Sequence, residues 1–260
     1  MTDWNPALYR QYEDERTRPA RDLLARVPLE SAQRVYDLGC GPGNSTELLA
    51  ARFPGAQVAG IDNSASMLAA ARERLPQLRF EQADIADIDY WQPGKAPPDL
   101  IYANAALQWV PDHETLLPRL LDTLAPGGVL AVQMPDNRDE PTHRVMRELA
   151  REAPYAQAIG DASQLRTELL PLTGYYDLLA RRAARIEVWR TIYQHPMAAP
   201  RAIVDWVRST GLRPYVDPLA PDLRARYLAE YERRIALAYP ARADGRLLLA
   251  FPRLFIVAVR

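Results

Sequence analysis

Residues Val35-Tyr36-Asp37-Leu38-Gly39-Cys40-Gly41-Pro42-Gly43-Asn44 run through three alternate glycines into Ser45-Thr46-Glu47-Leu48-Leu49-Ala50. The apolar stretch predicts a strand, and the segment after the glycines predicts a helix. Glycine has no Cβ, so the backbone can turn sharply there and a ligand can press against it. A strand, a glycine turn and a helix are how α/β proteins hold a nucleotide at the carboxyl edge of a sheet. The spacing discriminates among nucleotides. A dinucleotide fingerprint places a small residue, usually glycine, five positions after its first glycine, and here that position is Asn44. Asp37, just ahead of the turn, would repel phosphate and suits a cation. Cys40 sits inside the turn and reads as a small packing residue, because no sequence partner marks it as a nucleophile.

Composition narrows the class. A length of 260 residues suits one large α/β domain, or one domain with a substantial insertion. The net charge of −1 supplies no field that would recruit nucleic acid or an anionic membrane. Lys95 is the one lysine, so nearly all positive charge is arginine, whose planar fork matches carboxylates. A single cysteine excludes an internal disulfide, and three histidines (His113, His143, His195) without a second cysteine argue against structural zinc. The first residues show no basic, then apolar, leader pattern, and no run of 18 apolar residues occurs. A cytoplasmic enzyme without a membrane partner is the expectation.

Apolar runs predict strands near 34–38, 58–62, 78–84, 99–104, 129–134, 185–193 and 254–259. Helical patterns fall within 1–30 and over 44–52, 64–74, 116–124 and 175–183. Strands alternating with helices at short intervals predict a Rossmann-like α/β fold. Its sheet is expected to be mostly parallel, seven-stranded and covered by helices on both faces. After Pro135 the rhythm stops, and residues 136–172 and 196–248 read as helical insertions after strands five and six. Such insertions are expected over the carboxyl edge of the sheet as a substrate lid. The organisation expected is therefore one domain over 1–260, with a helical lead-in over 1–30 and a cofactor-binding core over 31–135.

The Asp37–Asn44 run resembles motif I of the class I S-adenosylmethionine-dependent methyltransferases. That resemblance implies a sulfonium ligand with an amino-acid tail and no phosphate. Gly39, Gly41 and Asn44 would form its cradle. Asp62 ends the second strand 23 residues after Gly39, where a carboxylate can accept both ribose hydroxyls. Asp62 could instead cap the next helix, although Ser64 also fits that role. Asn63 follows Asp62 in the same turn. Ala83, Asp84 and Ile85 end the third strand, with Asp84 placed to accept from the adenine amine and Ile85 to pack on the ring. Asn104 ends the fourth strand, near the methionine moiety or the substrate. Gln108 and Trp109 then offer an amide for a carboxyl oxygen and an indole for a carbon skeleton, Trp109 being equally suited to anchor the core. Trp4, Tyr9, Tyr12 and Arg16 lie at helical spacing and could fold over the cofactor or simply dock on the domain.

More specific stretches extend the resemblance to nearly the whole chain. Asp3-Trp4-Asn5-Pro6, Asn104 through His113, Gln133-Met134-Pro135-Asp136-Asn137, Glu140-Pro141-Thr142-His143, Thr210-Gly211-Leu212-Arg213-Pro214 and Ala250 through Ala258 resemble the trans-aconitate methyltransferases. Residues 153–170 depart most from that pattern. The resemblance implies methyl esterification of a carboxylate of trans-aconitate, a small-molecule tricarboxylate. An ionised carboxylate needs no general base, so positioning without a catalytic acid or base, and without a metal, is expected. Several buried negative charges need cationic or strong donor partners. The candidates are Arg16, His143, Tyr176, Arg190, Arg213 and Arg253, with Arg213 and Arg253 foremost because they lie in matching stretches. Two other readings stay open: a carboxyl methyltransferase for another small or carrier-bound dicarboxylate, and a non-catalytic S-adenosylmethionine sensor. A monomer is the expected state.

Overall fold

The computed structural model describes residues 13–91, 96–162, 168–208 and 210–260. Seven strands form one sheet: β1 (Arg34–Leu38), β2 (Gln57–Asp62), β3 (Arg79–Gln82), β4 (Leu100–Asn104), β5 (Val129–Pro135), β6 (Arg185–Met197) and β7 (Leu247–Val259). Their order is β3-β2-β1-β4-β5-β7-β6. The pairs from β3 through β5 are parallel, and β7 runs antiparallel to β5. The chain winds outward one way through β2 and β3, then returns past β1 to β4. That reversal lies between β1 and β4, and open α/β sheets take their ligands beyond the carboxyl ends of strands at such a point.

The chain forms two compact units: residues 1–135, 168–191 and 253–260, and residues 136–167 with 192–252. In the first unit, strand alternation sorts side chains onto two faces. Tyr36, Leu38, Ile101, Ala103, Leu130, Val132 and Met134 turn one way. They pack with Leu116, Leu117, Leu120 and Leu121 of the helix His113–Thr123 and with Tyr175 and Leu179 of the helix Leu172–Leu179. Asp37, Gly60 and Tyr102 share the opposite face, being register partners across β1, β2 and β4. Helices Glu13–Leu24, Asn44–Arg52 and Ala65–Arg74 cover it. Tyr102 Oη donates to Ala20 O at 2.6 Å from full burial. A Cβ on Gly60 would come within 2.6 Å of Phe80 Cδ1 and 2.8 Å of Cys40 Sγ, so glycine lets that cluster close. Helices on both faces are what a parallel sheet with buried strands requires.

In the second unit, helix Pro141–Ala150 packs against helix Pro221–Ala238, which also meets helix Pro200–Arg208. Tyr227 and Tyr231 donate from the core to Met146 O at 2.8 Å and Thr142 O at 3.1 Å. Arg234 grips Glu152 with two bonds of 2.7 Å.

Several boundaries differ from the expectations. The last strand begins at Leu247 rather than at 254, and β6 runs on to Met197 rather than ending at 193. Pro252 and Pro196 lie inside these strands although proline has no N–H to donate to a ladder. Pro252 still contributes its carbonyl, which accepts Asp136 N–H at 2.9 Å. The helix expected from 116 begins at His113, since Asp112 takes φ +56° and its carboxylate accepts Thr115 N–H at 3.2 Å. The helix expected over 175–183 covers Leu172–Leu179, starting directly after Pro171. The helix following β2 begins where Ser64 caps it, its Oγ accepting Met67 N–H at 3.3 Å.

Tyr102→Phe removes the bond to Ala20 and leaves the packing intact. The expected outcome is a loss of about 1 kcal/mol, read as a lower urea midpoint at unchanged slope.

Candidate active site

The glycine turn is left-handed at each alternate residue. Gly39, Gly41 and Gly43 take φ of +68°, +54° and +91°. A Cβ on Gly39 would stand 2.3 Å from Ala106 Cβ, so the turn lies directly against the loop that follows β4. A Cβ on Gly41 would meet nothing within 4 Å, so the turn is open at that point. Gly43 is the N-cap of helix Asn44–Arg52. Gly41 N–H donates to Asp62 Oδ2 at 2.9 Å, and Asp62 Oδ1 accepts Ser64 N–H at 2.9 Å. Asp62 thus braces both the glycine turn and the approach to the next helix, while Ser64 does the capping.

Asp37, next to last in β1, is fully buried. Its Oδ2 accepts Ser45 Oγ–H at 2.7 Å and Thr46 Oγ1–H at 2.6 Å. Its Oδ1 is buried with no partner among the described residues. Burial, opposed by the two hydroxyl bonds and aided by the nearby Asp62 charge, pushes the Asp37 carboxyl up to about 6. Cys40 is buried beside it, and burial, with the Asp37 and Asp62 charges, pushes the thiol well up. That keeps the sulfur a protonated packing group in a cluster with Leu68, Ala71, Leu75 and Phe80.

The other candidates from the cofactor motif line the same edge. Asn44 opens helix Asn44–Arg52 and is partly buried. Asn63 is exposed, and its carbonyl accepts from Gln82 Nε2 at 3.1 Å. Ala83 and Ile85 are buried around exposed Asp84, whose Oδ1 accepts Ala86 N–H at 2.9 Å. Ile85 Cδ1 lies 3.5 Å from where a Gly39 Cβ would be, so its side chain adjoins the turn. Asn104 ends β4 with Oδ1 buried and unpartnered among the described residues. Ala105 then takes φ +55°, and Gln108 Nε2 donates back to Ala105 O at 2.6 Å. A carbonyl only accepts, so this bond makes Oε1 the outward atom of the Gln108 amide. That buried oxygen has no partner among the described residues. Trp109 beside it is 36% exposed.

Two residues that the sequence did not single out hold this loop. His113 Nε2 meets Leu107 O at 2.8 Å, and Nδ1 meets Tyr175 Oη at 2.7 Å. The Leu107 carbonyl accepts only, so Nε2 carries the hydrogen in that bond. His113 was visible at the end of a distinctive stretch. Tyr175 lies 62 residues away, and no local pattern pairs them.

The orphaned oxygens of Asp37 and Gln108 and the open edge at Gly41 fit a cationic ligand with an amino-acid tail, as the class resemblance implies. They offer no donor set for phosphate. A family profile described as Methyltransferase domain matches residues 12–215. The chain is 72% identical over 258 residues to a trans-aconitate 2-methyltransferase from Variovorax paradoxus, covering 99% of this chain and 98% of that one. It is 66% identical to the protein of the same name from Paracidovorax citrulli, across 100% of this chain and 99% of the relative.

The chain belongs to the trans-aconitate 2-methyltransferase family.

Solved structures agree on the fold of this family member. The YcgJ protein of Bacillus subtilis superposes with a TM-score of 0.60 at 14% identity, over 94% of this chain and 98% of that one. Phosphoethanolamine N-methyltransferase 2 of Haemonchus contortus, solved with S-adenosylhomocysteine, superposes at 0.54 with 18% identity, over 94% of this chain and 52% of that one.

The tricarboxylate-binding candidates fall in different places. Arg253, on β7, is 4% exposed and donates from Nη1 to Gln133 Oε1 at 3.4 Å. Tyr176 is 47% exposed on helix Leu172–Leu179, and Arg190 is exposed on β6. In the second unit, His143 is buried with Nδ1 3.0 Å from Thr142 Oγ1. Its Nε2 would stand 2.8 Å from a Cβ on Gly211, so glycine makes room for the ring. Arg213 is partly buried, its Nε 3.6 Å from Asp217 Oδ2. The Arg16 side chain, with Trp4, Tyr9 and Tyr12, lies outside the described residues.

A folded-state value raised from 3.8 to about 6 means that folding favours the protonated Asp37. Its contribution to stability is complete below the unfolded value and is lost as pH rises through the folded one. Asp37→Asn, which keeps an oxygen for Ser45 and Thr46, should therefore gain stability over the ligand-free parent as pH climbs. The expected gain is on the order of 3 kcal/mol between pH ~4 and ~7, checked by urea unfolding of both proteins across that range.

Proposed function

We propose that the chain transfers the methyl group of S-adenosylmethionine to a carboxylate of trans-aconitate, yielding a methyl ester and S-adenosylhomocysteine. The carrying observation is the division of polar groups in the first unit. Orphaned acceptors on Asp37 and Gln108 meet the need of a cation. A buried guanidinium on Arg253 meets the need of an anion. The relatives' name supplies the particular anion.

Bound S-adenosylmethionine supplies an electrophilic methyl group with a neutral thioether as leaving group. We assign Asp37, Gly39, Gly41, Asn44 and Asn104 to its amino-acid portion and the turn. Asp62 and Asn63 are assigned to the ribose, and Ala83, Asp84 and Ile85 to the adenine. Trp109 and Arg253 are assigned to the substrate, while Gln108, expected from sequence to meet a carboxyl oxygen, turns an acceptor outward and is assigned to the cationic methyl donor instead. Arg16, His143, Tyr176, Arg190 and Arg213 are kept as substrate candidates on sequence grounds. A carboxylic acid of ordinary pKa, roughly 4, is ionised at neutral pH, so no residue has to remove a proton. The work left to the protein is to align oxygen, carbon and sulfur and to strip water from the oxygen. Arg253 would hold a carboxylate that does not react, and Trp109 would cover the carbon skeleton.

Among the described residues no helix is long and apolar enough to cross a membrane. With the net charge of −1, this is in keeping with a small-molecule substrate rather than a nucleic-acid or membrane partner, and a cytoplasmic monomer is part of the proposal.

Methyl transfer from labelled S-adenosylmethionine is expected with trans-aconitate in preference to cis-aconitate, citrate and isocitrate, and the product should release its label in alkali. Tight cofactor binding without turnover of any carboxylate would favour a sensor instead. Arg253→Gln should lower kcat/KM for trans-aconitate about 10- to 100-fold, with cofactor affinity little changed. Because an ionised Asp37 suits a cation, cofactor affinity should fall as pH drops through about 6, and calorimetric titration of Asp37→Asn should show that slope removed.

A further inference from the structure

Gln133 stands on β5 with its side chain fully buried. It is the register partner of Asn104 on β4 and of Phe255 on β7, and Arg253 lies two residues from Phe255. Asn104, Gln133, Phe255 and Arg253 therefore share one face of the sheet. Trp189 stacks on Phe255 at 4.8 Å between ring centroids, so the floor beside the two polar groups is aromatic.

The orientation of the Gln133 amide is determined by chemistry. Arg253 Nη1 lies 3.4 Å from Gln133 Oε1. A guanidinium has no acceptor, so the amide atom facing it must be the oxygen. The opposite end of the amide is then Nε2, a donor of two hydrogens. That nitrogen is buried and has no partner among the described residues. A buried amide donor left without an acceptor costs about 1–3 kcal/mol. Next to a guanidinium, the group that satisfies it best is an anionic oxygen. The Gln108 and Asp37 oxygens have the opposite deficiency, so the two ends of the edge call for ligands of opposite charge.

We infer that Gln133 is a specificity-determining residue that donates from Nε2 to a carboxylate oxygen of the substrate, with Arg253 holding the amide in that orientation and supplying the positive charge. The inference rests on the proposed carboxyl methyltransferase activity. It adds a carboxylate subsite at the end of β5, built from a neutral amide and a guanidinium. The amide binds without requiring a second buried cation, and a substrate lacking a carboxylate at that place would leave the donor empty.

Gln133→Met keeps the length and volume and removes the donor. Gln133→Glu keeps the shape, replaces the donor by an acceptor and gives Arg253 an ionic partner. Kinetics with trans-aconitate, cofactor affinity by calorimetry and thermal unfolding are measured on both. The expected result for Gln133→Met is a KM for trans-aconitate raised about 10-fold or more, with cofactor affinity within twofold of the parent. For Gln133→Glu, kcat/KM should fall further while the melting temperature holds or rises. A purely structural amide would lose activity only in step with stability, which would overturn the inference. A change in cofactor affinity with KM for trans-aconitate unmoved would assign the subsite to the cofactor's carboxylate, and would overturn it equally. If the parent chain neither binds nor methylates trans-aconitate, the functional reading itself fails. Malonate then serves as the probe in thermal shift, and equal stabilisation of parent and Gln133→Met would reject the subsite.

Discussion

The burial of one carboxylate organises this site. Asp37, next to last in β1, has no exposure, and Ser45 and Thr46 from the next helix satisfy a single one of its oxygens. Those hydroxyls tie the strand to the first turn of the helix, so the three glycines between them must make a compact left-handed turn. Two hydroxyl bonds do not offset the loss of water around an ionised carboxylate, which is why its proton leaves only near pH 6. A bound cation would repair that deficit. The same residue thus shapes the turn and is incomplete until a positive ligand arrives.

Strand alternation carries one polar face across the sheet. From Asp37 on β1 the face passes to Tyr102 and Asn104 on β4, to Gln133 on β5 and to Phe255 and Arg253 on β7. The opposite face is apolar and packs on Tyr175 and the leucines of helix His113–Thr123. The polar face begins with acceptors and ends with donors. A reaction joining a sulfonium to a carboxylate needs both, and needs them apart. The His113–Tyr175 pair contributes in another way, by holding Leu107 and so the loop that bears Gln108 and Trp109. Truncating either member would act on that loop through its position rather than through contact with a ligand.

Much of this was legible along the chain. The first five strands and helix Asn44–Arg52 follow from apolar runs and glycine punctuation, because these elements are local and end where the pattern ends. The long β6 and β7 run past the bounds expected at 193 and 254, and Pro196 and Pro252 lie in the added residues. Neighbouring strands tolerate a missing donor when the carbonyl is still used, as Pro252 O is by Asp136 N–H. Trp109 could be read from sequence as a cover for the substrate skeleton or as a core anchor, and only the fold shows that it is 36% exposed. Gln133 stood in the sequence only as the first residue of a family-matching stretch, with no role attached to it. Inside Val129–Pro135 it reads as one polar residue in a buried strand, and its open donor exists only because Arg253, 120 residues on, takes the other end of the amide.

The sequence by itself determined the α/β class, the glycine turn with its acid, and the family, because each resides in a contiguous run of residues. Tertiary structure alone decided which polar atoms are satisfied. Asp37 is left with one bare oxygen by helix packing, His113 is paired with Tyr175 by the fold of the opposite face, and Gln133 is turned by a strand that arrives last and runs backwards. Hydrogen-bond satisfaction depends on angles and burial between segments distant in sequence, and that information is absent from any single stretch of the chain.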